Sequence, residues 1–94
     1  MDPTIRVNVR VEIVAVYRKD KRGPICMPVK MKYKNREITF SRLGMRHPTV
    51  QGKRMVHVFD VSDGQDDYRL EFDAESLTWR LVAVLEGANA VSSQ

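Results

Sequence analysis

Along most of this chain apolar and polar residues alternate with a period of two, and no segment keeps a helical period. The clearest run is Asp67 to Gly87. Tyr68, Leu70 and Phe72 alternate with Arg69, Glu71 and Asp73; beyond Asp73-Ala74-Glu75-Ser76, Leu77, Trp79, Leu81 and Ala83 alternate with Thr78, Arg80 and Val82. Successive side chains of a strand point to opposite faces, so this pattern predicts a hairpin with one buried face. Pairing Phe72 with Leu77 sets Leu70 opposite Trp79 and Tyr68 opposite Leu81, with the only tryptophan as a core anchor.

The rest of the chain supplies strands that pack on this hairpin. From Thr4 to Tyr17 the odd positions Ile5, Val7, Val9, Val11, Ile13, Ala15 and Tyr17 are apolar. From Val14 the even positions turn apolar too, the sign of a strand covered on both faces. Gly23-Pro24 breaks the run. Pro28 to Leu43 reads as a second hairpin turning at Asn35-Arg36, with Tyr33 opposite Ile38, Met31 opposite Phe40, and Lys30, Lys32 and Lys34 in a row on the other face. Gly44 to Lys53, with two glycines and a proline, reads as a basic loop. Arg54 to Val61 is a strand leading to a turn at Asp63-Gly64; pairing Ser62 with Gln65 puts Phe59 opposite Tyr68, His57 opposite Leu70 and Asp60 opposite Asp67. The expected architecture is all-β: six antiparallel strands, near 4–17, 28–34, 37–43, 54–62, 66–73 and 77–85, forming a meander that curls into a small, partly open barrel of SH3-like or β-roll-like kind without substantial helix. Residues 1–87 form a single β domain and 88–94 a flexible tail.

Length and composition bound the function. Ninety-four residues build one domain with one compact core. The chain has no apolar run long enough to span a membrane as a helix, and its N-terminus lacks the apolar centre of a signal peptide, so a cytoplasmic location is expected. One cysteine, Cys26, excludes an internal disulfide and a multi-cysteine zinc site, and it reads as a small structural residue. The net charge of +4 conceals a split: residues 1–54 carry 14 Lys/Arg against 4 Asp/Glu, and residues 55–94 carry 2 against 8. The halves are thus strongly opposite in sign, which suggests two oppositely charged surfaces.

The motifs in the two hairpins resemble those of a family of short bacterial β domains of unknown function. Pro28, Tyr33 and Arg36 in PVKMKYKNREITF, and Tyr68, Leu70, Asp73, Trp79 and Leu81 in YRLEFDAESLTWRL, stand where that family repeats the same residue types. The resemblance implies a small β fold and carries no catalytic or binding residues. Some family members are encoded near DNA repair polymerases, which leans toward nucleic acid. The segment 44–53 departs from the family pattern.

Candidate chemistry is sparse. Ser41, Ser62 and Ser76 lack a nearby base, and His47 and His57 lack a third partner for zinc, so no enzyme activity, cofactor, metal or small-molecule substrate is expected. Asp60, Asp63, Asp66 and Asp67 lack the alternating acids of a calcium loop and read as a solvated turn. Arg69 and Arg80 face each other in the hairpin register, relieved by Glu71 or by a bound anion. Two surfaces carry function classes. If the first and last strands pair, IVAVY at 13–17 and LVAVL at 81–85 run side by side, and Val14, Val16, Val82 and Val84, extended by Val56 and Val58, form an apolar patch for self-association or a protein partner. The alternative is a nucleic-acid-binding domain in which Lys30, Lys32, Lys34, Arg42, Arg46, Lys53 and Arg54, within a wider basic set that includes Arg22, contact the phosphates of DNA or RNA with little sequence specificity.

Overall fold

A computed structural model of the chain describes residues 4–21 and 23–87; the side chains of residues 20, 23–25, 45, 47 and 51 fall outside that description. The tail expected at 88–94, Arg22 and the side chain of His47 therefore lie outside the described residues. The described chain is all β, with strands β1 (Thr4–Asp20), β2 (Gly23–Tyr33), β3 (Arg36–Thr39), β4 (Arg42–Gln51), β5 (Arg54–Ser62), β6 (Asp67–Asp73) and β7 (Thr78–Leu85). They form one antiparallel sheet in the order β3-β2-β1-β7-β6-β5-β4. The first and last strands pair at its centre, from Thr4 opposite Leu85 to Val11 opposite Trp79.

The sheet curls because its two ends are consecutive in the chain. β3 and β4 sit at opposite edges, yet only Phe40 and Ser41 separate them. Phe40 N–H donates to the Val29 carbonyl at 2.9 Å and Ser41 N–H to the Ser62 carbonyl at 2.8 Å. The Phe40 ring packs on Tyr68 with centroids 5.8 Å apart. The expected partly open barrel is thus what the chain forms. The core enclosed by the curl holds Val11, Met31, Ile38, Phe59, Val61, Tyr68, Leu70, Phe72, Trp79, Leu81 and Val84. Leu70 and Leu81 are fully buried, each worth about 1.5–3 kcal/mol of apolar transfer. Phe72 and Phe59 flank Trp79 at ring separations of 4.6 and 5.3 Å.

One more strand is present than the pattern predicts. The segment expected to be a loop, 44–53, is mostly strand: β4 runs to Gln51 and turns back through Gly52-Lys53. Its Pro48 breaks no ladder because β4 is an edge strand, the position where a missing N–H is tolerated. Gly44 permits close passage over β5, since a Cβ there would sit 3.1 Å from the Asp60 carbonyl oxygen.

The pairing of both C-terminal hairpins differs from expectation because one turn is displaced and the other is longer. Phe72 faces Trp79 and Leu70 faces Leu81, because the four-residue turn takes in Leu77 and leaves Asp73 paired with Thr78. Leu77 has φ 58° and is 72 % exposed, so it is a turn residue and not core. The Asp73 carboxylate accepts N–H bonds from Glu75 (2.9 Å) and Ser76 (3.3 Å), closing that turn. Likewise Ser62 pairs with Asp67, and Asp63 accepts from the Gln65 and Asp66 N–H groups, both at 2.8 Å. Asp60 then faces Arg69, not Asp67, and the two form a bidentate ion pair at 2.9 and 3.2 Å. In the β2–β3 hairpin the turn is Lys34-Asn35, both left-handed at φ 52° and 61°, so Tyr33 faces Arg36 and Met31 faces Ile38. This slip of one residue keeps Lys30 and Lys32 on the exposed face and puts Lys34 in the turn itself.

Candidate interaction surface

β1 outruns its neighbour. Its last pair with β7 is Val11 opposite Trp79, and from Glu12 to Asp20 it pairs only with β2. On the far side, β3 covers β2 only from Lys30 to Tyr33. Residues 13–20 of β1 and 23–26 of β2 therefore form a two-stranded ribbon beyond the end of β7. A two-stranded hairpin is marginal in water by itself. One side of this ribbon is steadied by Ile13, Ala15 and Cys26, which pack against the barrel core. The opposite side carries Val14 (57 % exposed) and Val16 (39 %), with Met27 opposite Val16 and Lys30 opposite Val14. A bulge at Val29 on β2 leaves β1 regular, so Glu12, Val14, Val16 and Arg18 share one face.

Near the ribbon tip Tyr17 is 68 % exposed, and Arg18, Lys19 and Lys21 are exposed around it. Tyr17 faces Cys26 across the ribbon. Hydrogen bonding to the Cys26 sulfur and its proximity push the Tyr17 phenol above its ordinary value. Burial pushes the Cys26 thiol up, against the opposing influence of the Tyr17 hydrogen bond and of Arg46. Cys26 is thus a protonated packing residue at neutral pH, as a structural cysteine would be.

The valine residues named from sequence do not form one patch. β1 and β7 pair, but LVAVL lies along Thr4 to Val9, not along IVAVY, so Val82 and Val84 are at the other end of β1 from Val14 and Val16. A bulge at Val82 turns Val84 inward, where it is 8 % exposed and part of the core. Val56 and Val58 are buried as well, at 2 % and 5 %. Of the patch, Val14 and Val16 remain exposed, and Tyr17 is exposed on the opposite face of β1.

The basic residues likewise divide. Lys30 and Lys32 stand on the outer face of β2, with Lys30 3.6 Å from Glu37, and Lys34 caps the hairpin beside the Tyr33 ring. Arg42 and Arg46 belong to β4. Lys53 and Arg54 stand at the opposite end of β4, where Arg54 pairs with Asp73. Lys30 and Lys32 on β2 lead into Lys34 in the turn, whereas Arg42 and Arg46 lie on β4, Lys53 in the β4–β5 turn and Arg54 on β5.

Several other groups serve the fold. Burial would raise the Asp63 carboxyl, but N–H bonds from Asp66 and Gln65 and the Tyr68 hydroxyl (3.0 Å) outweigh it and hold it below the usual carboxylate range. Burial and the bond to Asp63 push the Tyr68 phenol well up. Asp66 accepts from Gly87 N–H at 2.7 Å and so ties down the end of β7. Burial also acts against the Asp73 charge, and the Glu75 and Ser76 N–H groups with Arg54 overcome it, leaving that carboxyl low. Among the described residues no group of three His, Cys, Asp or Glu side chains is placed to hold a metal. Arg80 faces Glu71 on one side, while Arg69 faces Ala83, so the opposed pair expected at Arg69 and Arg80 is absent. The like-charged pair is instead Arg10 opposite Arg80, where Arg80 also donates to Asn8 Oδ1 at 3.1 Å.

Sequence reasoning missed one surface. An open groove of about 790 Å³ crosses the outer face from β1 to β4, lined by Arg6, Arg42, Asp60, Arg69, Glu71 and Val82 among others. Its signal was the charged alternate positions Asp67, Arg69 and Glu71 opposite the core face of β6. Within it Asp60 holds Arg69, and Arg42, Asp67 and Glu71 have partners of their own. Comparison with family models, with curated proteins and with solved structures gives no match for this chain. Among the described residues no helix is long and apolar enough to cross a membrane.

Proposed function

We propose that this chain is a small non-enzymatic β-barrel interaction module that self-associates through the ribbon of β1 and β2. The observation that supports it is the edge of β1 from Glu12 to Asp20: it extends beyond the end of β7 and bears exposed Val14, Val16 and Tyr17. Edge strands usually carry lysine, proline or a bulge that discourages pairing. Here the middle of the edge is apolar and the bulge lies on β2. Light scattering across a range of protein concentrations tests the reading. The mass should rise from monomer to dimer, and Val16→Lys should hold the protein monomeric with an unchanged far-ultraviolet spectrum. A monomer at every concentration, or a dimer indifferent to Val16→Lys, removes it.

A second reading, backbone-led binding of DNA or RNA, is supported by the exposed Lys30, Lys32 and Lys34 row and by Arg18, Lys19 and Lys21 on the same ribbon. The major groove of a duplex admits a two-stranded β-ribbon. Affinity should fall steeply with salt as counterion release is suppressed. Reversing the charge of Lys30 and Lys32 should reduce both affinity and salt slope; an unchanged slope removes this reading.

A further inference from the structure

The edge that would carry self-association also specifies how two copies fit. We propose that two molecules join by antiparallel pairing of β1 with β1 of a second copy over Glu12–Arg18, about a two-fold axis at Ala15. The proposal rests on the self-association reading above and goes further, to the register.

Three observations select it. First, the length: Val11 is already opposite Trp79, so pairing starts at Glu12, and symmetry about Ala15 ends it at Arg18. That gives seven residues, an ordinary strand length. Second, the faces: an axis perpendicular to the sheet keeps outer residues opposite outer ones, which requires the two paired numbers to have the same parity. Third, the chemistry of the pairs. About Ala15, Glu12 meets Arg18, Val14 meets Val16, Ile13 meets Tyr17 and Ala15 meets itself. One face is an apolar centre bounded by two opposite-charge pairs. The other is aliphatic and aromatic, with the smallest side chain on the axis. Moving the axis by one residue to Val16 keeps parity but sets Glu12 against Asp20 and Val14 against Arg18. Moving it to Val14 sets Val11, whose edge is taken, against Tyr17. Opposite charges directly across a strand pair stabilise and like charges destabilise, so the axis at Ala15 is the self-complementary choice. Glu12 also faces Lys32 and Val14 faces Lys30 on the other side of β1, which places positive charge along β2 beside Glu12.

The first test is cross-linking of Ala15→Cys in a Cys26→Ser background. Directly opposed residues of antiparallel strands have Cα atoms about 4.5–5.5 Å apart, within the reach of a disulfide. Mild oxidation should convert most of the dimer to a disulfide-linked species, while Val50→Cys, exposed on β4, should not cross-link. The second test is charge exchange at exposed positions that leave the core untouched. Glu12→Arg and Arg18→Glu should each weaken dimerisation roughly tenfold or more, since each makes two repulsive pairs per dimer, and the double variant should restore it. Two outcomes overturn the register while sparing self-association: a dimer by light scattering that Ala15→Cys fails to cross-link, or single charge reversals that leave its dissociation constant unchanged. A monomer at all concentrations removes both readings.

Discussion

Asp63 is the residue whose removal should reach furthest into the fold. Its carboxylate accepts two turn N–H groups at 2.8 Å and the Tyr68 hydroxyl at 3.0 Å. Asp63→Ala removes all three. Water can replace the carboxylate at the turn, so the two N–H bonds are worth about 0.5–1 kcal/mol each. Tyr68 is different: only 3 % of it is exposed, and a buried hydroxyl left without its acceptor costs about 1–3 kcal/mol. The sum, about 2–5 kcal/mol, is a large share of the about 5–15 kcal/mol typical of a domain. Urea unfolding followed by the fluorescence of Trp79, which is buried against Phe72, reads it directly. With a slope of about 1–3 kcal/mol/M the midpoint should drop by roughly 1–2 M. In a Tyr68→Phe background the same substitution should lose about 1 kcal/mol less, because the stranded hydroxyl is gone. The carboxyl is held below its unfolded value, so its contribution is complete above about pH 4 and fades as pH falls through the lower folded value. Asp63→Asn should therefore flatten the acid limb of the stability curve. A midpoint shift below about 0.3 M, or no coupling to Tyr68, would refute this view of the turn.

Tyr68 acts at the other end of the pH scale. Its phenol is raised in the fold, so stability should hold through neutral pH and decline above about pH 10, where the unfolded chain ionises first; Tyr68→Phe should reduce that decline in alkaline urea titrations. Leu77→Gly should stabilise by about 0.5–1 kcal/mol in thermal melts, because a leucine at φ 58° and 72 % exposed is strained in a conformation glycine adopts freely. Arg10→Glu should stabilise by about 0.2–1 kcal/mol, replacing a like-charge pair with an attraction to Arg80, and added salt should shrink the gain.

Strand identity was legible wherever a period of two was backed by core contacts. Tyr68, Leu70, Phe72, Trp79 and Leu81 all lie in the core, as their alternation requires. Register was less legible, because it depends on where each turn falls and how long it is. Asp73 and Asp63 each bond N–H groups two and three residues ahead, which displaces the first turn by one residue, lengthens the second from two residues to four, and shifts every pair. The aspartates that open the two turns were a readable signal of this. β4 was hidden by Gly44 and Pro48, which break an interior strand and not an edge. The candidate surface was half legible. Val14 and Val16 are exposed as outer-face residues, not covered on both faces as the apolar run at 13–17 suggested, whereas Val84 could not be placed without the bulge at Val82, which no residue pattern announces.

Amide hydrogen exchange along β1 probes the central claim most directly, since an unpaired edge leaves alternate N–H groups open to water and a second strand closes them. Alternate amides between Glu12 and Arg18 are expected to exchange rapidly in dilute protein and to gain protection as concentration rises, while Lys19 to Lys21 at the ribbon tip and the β4 edge stay unchanged. Protection across Glu12–Arg18 that does not vary with concentration would contradict pairing of β1 with a second copy.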